Sequence, residues 1–172
     1  MTFSHPFQAI FNKDSKVLIL GSFPSIKSRE SNFYYANPQN RFWDILGIIF
    51  NENIPKLSKK TPKEKYSEVF QSQIDFLLRH NIAIWDIVKI CNIDKSSDAT
   101  LNPIKINEIE RLCEDSRIRV IFTNGKKATE IYKKYCNNIK LDSFGLPSSS
   151  SANARYSIES LGIKWQIIKQ YL

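Results

Sequence analysis

The sequence is poor in the residues that hold metals. Its 172 residues include two histidines, His5 and His80, and three cysteines, Cys91, Cys113 and Cys136. No C-x-x-C pair occurs. A structural zinc or an iron–sulfur cluster takes about four ligands grouped closely, so neither is expected. An odd cysteine count also argues against a secreted scaffold built on disulfides. Long apolar runs are missing: none approaches the ~18 residues of a membrane-spanning helix, and Met1–Ser15 lacks a signal-peptide core. The expectation is a cytosolic protein away from membranes. The G-x-S-x-G elbow of hydrolases and the glycine-rich phosphate loop of NTPases are absent. Neither histidine stands in a pattern with a carboxylate or serine, and neither is expected to be catalytic.

What is present suits one folded domain over residues 1–172, a common domain size. Hydrophobic residues make up 42% and charged residues 24%, which provides a core and argues against disorder. Lysine and arginine number 25 against 17 acids, a formal charge of +8. A basic domain suits a polyanion such as nucleic acid, because neutralised phosphates release counterions. Charge alone also serves solubility and does not decide between the two.

The apolar run Val17–Leu20, stopped by Gly21, reads as a strand buried on both faces. A polar and aromatic loop follows over 22–38. Phe42, Ile45, Leu46 and Ile49 then recur at helical spacing from a start near Asn40. Thr61-Pro62-Lys63-Glu64 is a capping-box sequence, predicting a helix to about His80 that buries Tyr66, Val69, Phe70, Phe76 and Leu77. Ile82–Trp85 is the second strand, ending at Asp86. Residues 89–103 read as irregular. A short helix over 107–113, a strand at Val120–Phe122, a helix from Lys126 to about Cys136 and a short fourth strand at 139–141 follow. Gly145–Ala154 is a small-residue loop, read as fixed on a rigid scaffold because the stripe Ile158, Leu161, Trp165, Ile168, Leu172 predicts a helix after it. Alternating strands and helices predict a three-layer α/β/α sandwich around a short, mainly parallel sheet. Ligands bind such folds at the carboxyl ends of the strands, where the unusual polar and aromatic residues of this chain all fall.

Gly21-Ser22-Phe23-Pro24-Ser25 places a glycine and a proline at a strand end, a turn that a ligand can approach closely. Phe33, Tyr34 and Tyr35 lie in the loop beyond. They either plug the end of the sheet or stack on a base, an interaction measured elsewhere at about 1–3 kcal/mol.

GSFPS followed by FYYANPQNRFW resembles the first motif of the uracil-DNA glycosylase superfamily, and within it the hypoxanthine-DNA (deoxyinosine) glycosylase branch. NPQNRFW is also similar to the mismatch-specific uracil-DNA glycosylases. VIFTNGKKAT over 120–129 resembles the family's later strand, glycine turn and helix, and LPSSSSANAR over 146–155 its DNA-intercalating loop. Trp85–Val88 and Ser97-Asp98 resemble the branch's middle segment. The matches fall in family order and bracket residues 17–157.

The resemblance implies a metal-free, cofactor-free, monofunctional base-excision enzyme, acting as a monomer on double-stranded DNA with a damaged or mismatched base. It implies Asn40 as the catalytic asparagine and Tyr35 as the aromatic stacked on the flipped base. Phe23, Asn124 and Asp86 join Tyr35 as base-binding candidates, although Asp86 has an equal reading as a structural turn acid. Pro147 and Ser148 align with the pair that pinches the DNA backbone, and Ser149, Ser150, Ser151, Ala152 and Asn153 with the residues that fill the gap left by the base. Ser25, Arg41, Arg155 and Lys126 are candidate DNA contacts. Where most of the superfamily has Asp or Asn before the motif's proline, this chain has Phe23. That departure moves the water-positioning role toward Asn40 and speaks against a standard uracil enzyme.

The rival readings are a mismatch-specific uracil or thymine glycosylase and a non-catalytic nucleic-acid-binding domain of the same fold. Glycosidic bond cleavage passes through an oxocarbenium-like sugar. An amide does not titrate near neutrality, so Asn40 would act by orientation and hydrogen bonding rather than as a base. Its alternative role is a helix N-cap. Asp44, one turn on, either orients Asn40 or complements the helix dipole.

Overall fold

The computed structural model describes residues 1–93 and 100–172; Ser97 and Asp98 of the middle segment lie outside them. Four short parallel strands form the central sheet: β2 (Val17–Gly21), β3 (Ile82–Asp86), β6 (Val120–Asn124) and β7 (Asp142–Leu146), in the order β3-β2-β6-β7. Every residue of β2 is buried, as its unbroken apolar run requires. Successive side chains of a strand point to opposite faces, so β2 feeds two cores. Val17 and Ile19 join Ile82, Ile84, Val120 and Phe122 against helices α2 (Phe42–Phe50), α3 (Tyr66–Arg79) and α6 (Ile158–Trp165). Leu18 and Leu20 join Ala83 and Ile121 against α4 (Ile109–Glu114) and α5 (Lys126–Tyr135). The expected three layers are therefore present.

Several elements differ from expectation. Residues read as irregular contain β4 (Val88–Asn92) and the start of β5 (Asn102–Ile106), which form a separate antiparallel sheet with β1 (Thr2–Ser4) in the order β1-β4-β5. Pro103 is tolerated because β5 is an edge strand. The loop after β2 contains a helix, α1 (Ile26–Ser31), capped by Ser25, whose hydroxyl accepts from the Ser28 amide at 3.2 Å. Thr61 does not cap a helix: its hydroxyl accepts from the Ser58 amide at 2.8 Å, and a 3-10 turn over Lys63–Lys65 precedes α3. Tyr66, Val69 and Phe70 are half-buried, while Phe76 and Leu77 are fully inside. The fourth strand lies at Asp142–Leu146, beyond the apolar Ile139 and Leu141, which pack as loop residues on the second core. Among the described residues no helix is long and apolar enough to cross a membrane, and no group of three or more His, Cys, Asp or Glu is placed to hold a metal ion.

Candidate active site

Strand order reverses at β2, which has β3 on one side and β6 on the other. The crevice beyond the carboxyl ends at such a switch point is where open α/β sheets bind ligands. Register puts Asp86 directly beside Gly21, and Asn124 ends the neighbouring strand. A Cβ at position 21 would collide with Asp86 Oδ1 and stand 3.3 Å from the Tyr35 hydroxyl, so a side chain there would have to displace the Asp86 carboxyl. A cleft of about 440 Å³ opens over this edge, within the size range of small-molecule sites. Phe23, Tyr35, Asn40, Asp86 and Asn124 all line it. Ser25, Ser148, Ser149 and Ser150 line it too, so residues from four separate loops meet in one place.

A chain of hydrogen bonds ties these loops together. Asn124 Nδ2 donates to the Tyr35 hydroxyl at 3.2 Å and to Ser149 Oγ at 2.9 Å, while its Oδ1 accepts from the Ser149 amide at 3.0 Å. Ser149 Oγ in turn donates to Asn40 Oδ1 at 2.9 Å. The same Asn40 oxygen accepts from the Phe42 amide at 2.9 Å. Asn40 thus stands one residue before the N-cap Arg41, accepts from the first amide of α2 and lines the cleft at once. Both acceptor positions of its carbonyl are taken, which leaves the Nδ2 amino group as the part of Asn40 available to a ligand.

Tyr35 has a left-handed backbone with φ of 49°. A non-glycine residue held there costs on the order of 1–3 kcal/mol and often marks a functional site. One face of its ring is stacked on Phe42, with centroids 3.8 Å apart. Burial raises the Tyr35 phenol well above the usual tyrosine range, the charge of Asp86 raises it further, and the Asn124 hydrogen bond offsets part of this. The ring is a neutral surface at the edge of the cleft. Tyr34 also lines the cleft, but its hydroxyl is occupied, donating to the Gln8 carbonyl at 2.7 Å. Its phenol is also raised, first by burial and then by Asp86.

Arg41 does not point at a phosphate site. Its guanidinium donates to the carbonyls of Tyr156 at 2.6 Å, Ser150 at 2.7 Å and Asn153 at 2.9 Å. It is a clamp that shapes the serine-rich loop from inside. Asn153 belongs to the same framework, with Nδ2 donating to the Ser148 carbonyl at 3.0 Å. The Pro147 carbonyl is occupied by the indole N–H of Trp165 at 2.9 Å. Ser149, only 1% exposed, is buried beneath the loop, whose exposed tip is Ser151 and Ala152. Arg155 and Lys126 are exposed, as DNA contacts would have to be. Asp44 neither faces Asn40 nor stands alone: it is ion-paired with Lys56, whose ammonium also donates to the Asn40 carbonyl at 3.0 Å.

Sequence reasoning missed Lys56, Arg29 and His5. Arg29 lines the cleft with its guanidinium 4.4 Å from the Phe3 ring centroid and 5.6 Å from that of Phe23. Both histidines, expected to lack carboxylate neighbours, have one: His5 Nε2 is 2.8 Å from Asp86 Oδ2, and His80 Nε2 is 2.6 Å from Glu52 Oε1. No local pattern could have shown this, because the partners are 81 and 28 residues apart.

A doubly wound α/β domain with a cleft of about 440 Å³ at its switch point is the architecture seen here, and residues 9–170 match the family described as the Uracil DNA glycosylase superfamily. The chain belongs to that superfamily. Among particular relatives, it is 32% identical over 152 residues to a protein of Methanosarcina acetivorans named hypoxanthine DNA glycosylase, covering 88% of this chain and 89% of the relative. A protein of the same name from Methanosarcina barkeri is 28% identical over 160 residues, covering 92% and 93%. A solution NMR structure of a Methanosarcina acetivorans protein, described as a candidate uracil DNA glycosylase, superposes with a TM-score of 0.75 at 31% identity, covering 98% of this chain and 96% of that one.

Proposed function

We propose that the protein is a monofunctional DNA glycosylase that removes hypoxanthine from deoxyinosine in double-stranded DNA and leaves an abasic site. The observation that carries this reading is the amide of Asn40, fixed by Ser149 and Phe42 with its donors toward a cleft walled by Tyr35 and Asp86. In this reading the protein works as a cytoplasmic monomer.

A stacked base is closed to attack, so the nucleotide must first swing out, at a cost of a few kcal/mol that falls at a damaged or mismatched pair. The exposed Ser151–Ala152 tip fills the vacated space, and Arg155 and Lys126 bind phosphates on either side. The base enters beside the free edge of Tyr35. Asp86 Oδ1 accepts a hydrogen bond from the ring N–H of the deaminated purine. The bond from the sugar to the base then breaks with its electron pair passing to the purine. The Asn40 N–H groups stabilise the charge that develops there, a pre-organised donor role. Water adds to the sugar carbon and gives up a proton to solvent. Asn40 positions and stabilises; with its oxygen saturated it is not the acceptor for the water's proton.

The test is excision from duplex oligonucleotides carrying inosine, uracil, xanthine or a G·T mismatch, followed by alkaline cleavage at abasic sites. Strand breaks at inosine support the reading. Breaks only at uracil would assign the enzyme to the mismatch-specific uracil group, and none at any base would make it a binding domain.

A further inference from the structure

Asp86 is 4% exposed, and such a carboxyl needs a partner. His5 supplies it from the N-terminal segment, where β1 pairs with β4 and the His5 amide donates to the Lys89 carbonyl at 2.8 Å. The His5 side chain is 2% exposed. Both of its ring nitrogens face acceptors. Nδ1 is 2.7 Å from the Phe7 carbonyl oxygen, which can only accept, so Nδ1 carries a hydrogen. Nε2 is 2.8 Å from Asp86 Oδ2. A neutral imidazole with its hydrogen on Nδ1 would turn a lone pair toward a carboxylate lone pair. The contact therefore holds one further proton, on Nε2 or on Oδ2.

Either position has the same consequence at the other oxygen. If the proton is on nitrogen, Oδ1 belongs to a carboxylate. If it is on Oδ2, Oδ1 is the carbonyl oxygen of the acid. Both are acceptors and neither is a donor. Oδ1 is also the oxygen that lies over Gly21 on the wall of the cleft, and it receives no hydrogen bond from the described residues. The phenols of Tyr34 and Tyr35, which also line the cleft, are held neutral first of all by burial.

We propose that His5 is a specificity-determining positioning residue: by holding the carboxyl proton on the Oδ2 side, it fixes Asp86 Oδ1 as an acceptor and makes the cleft read bases that present a ring N–H. The inference rests on the glycosylase reading above. Hypoxanthine, xanthine and uracil carry such an N–H, whereas adenine and cytosine present a ring lone pair at the equivalent position. Without His5 nothing keeps a proton at Oδ2, and a buried acid with its O–H on Oδ1 becomes a donor suited to adenine.

The experiment measures single-turnover excision of inosine and of adenine from matched duplexes by the full chain, as wild type, His5→Ala, His5→Gln and Asp86→Ala. The expected result is an inosine-to-adenine rate ratio that falls at least about tenfold in His5→Ala, the size of one hydrogen bond's discrimination. His5→Gln, which can still donate to Oδ2, retains more of the ratio. In the wild type, proton and nitrogen NMR of the imidazole show hydrogens on both ring nitrogens or a far-downfield proton shared with Asp86, absent in Asp86→Ala. This readout does not require the alanine variant of His5 to fold. Inosine and adenine rates that fall in equal proportion in both His5 variants would overturn the proposal, as would a wild-type Nε2 with no attached or shared proton. Wild-type protein that cuts neither base would sink the glycosylase reading and this inference with it. Wild-type cutting of inosine with an unchanged ratio in the variants sinks the inference alone.

Discussion

The molecule contains two histidine–carboxylate pairs, one near each edge of its parallel sheet, and they differ in almost everything except composition. His80 follows α3 at the amino edge, where it and Arg79 meet Glu52 near solvent. His5 and Asp86 meet at the carboxyl edge, with 2% and 6% of their side chains exposed. In water such a pair adds little, because solvent screens the charges and both side chains lose freedom. Inside, the same pair fixes protons and lone pairs in space, because no water can substitute for them. The comparison separates charges paired near solvent from charges paired at the buried wall of the cleft. The polar groups of the carboxyl edge bind from loop to loop around a cleft, whereas the Glu52 cluster joins the end of α2 to the end of α3.

Breaking the carboxyl edge should give the largest effects. Asn40→Ala is expected to lower single-turnover excision of inosine at least ~100-fold, the cost of one pre-organised donor. Circular dichroism should show the fold retained, with a thermal midpoint a few degrees lower for the loss of about 1 kcal/mol at the start of α2; near-normal excision would remove Asn40 from the mechanism. Arg41→Ala should cost about 2–3 kcal/mol in urea unfolding, since it removes charge-assisted bonds to several carbonyls. Lysine should not restore it, because a point charge cannot reproduce the planar fork. Ser149→Ala should slow excision about tenfold by freeing the Asn40 amide to turn. Replacing Lys126 and Arg155 together by alanine should weaken binding to damaged and undamaged duplexes alike. The salt slope of log affinity should fall by about 0.9 for each phosphate that the variant no longer neutralises.

The amino edge should give the smallest effect, and only in acid. Hydrogen bonds from Arg79 and then His80 lower the Glu52 carboxyl from 4.5 to about 2. Its folded value lies below its unfolded one, so its contribution is complete above about pH 4.5 and fades as pH falls toward 2. Glu52→Gln should flatten that part of the stability profile and leave excision at neutral pH untouched. A slowed Glu52→Gln enzyme would dissolve the distinction between the two edges.

Much of this was legible before any coordinates. The strands at Val17, Ile82 and Val120 were readable because a strand buried on both faces must be apolar at every position. Residues read as irregular after Asp86 hid β4, since a five-residue strand whose exposed positions, Lys89 and Asn92, do not alternate has a weak pattern, and it is ordered by pairing with β5 and with β1, some 88 residues away. Asn40, Tyr35, Asn124 and the serine loop were named from a motif, and the cleft does gather them. Their wiring was not readable. Arg41 looked like a phosphate contact because an exposed and an inward-turned arginine have the same letter in a sequence.

The sequence by itself determined the three-layer sandwich, its superfamily and the loops that carry the site. Apolar periodicity and turn residues act locally, and a motif keeps its residues close along the chain. Tertiary structure alone decided which atoms face the cleft: that Asn40 offers its amino group, that Arg41 turns inward and that His5 stands behind Asp86. Those outcomes depend on hydrogen bonds a few ångströms long between residues some 80 to 110 positions apart, a separation on which no local pattern can act.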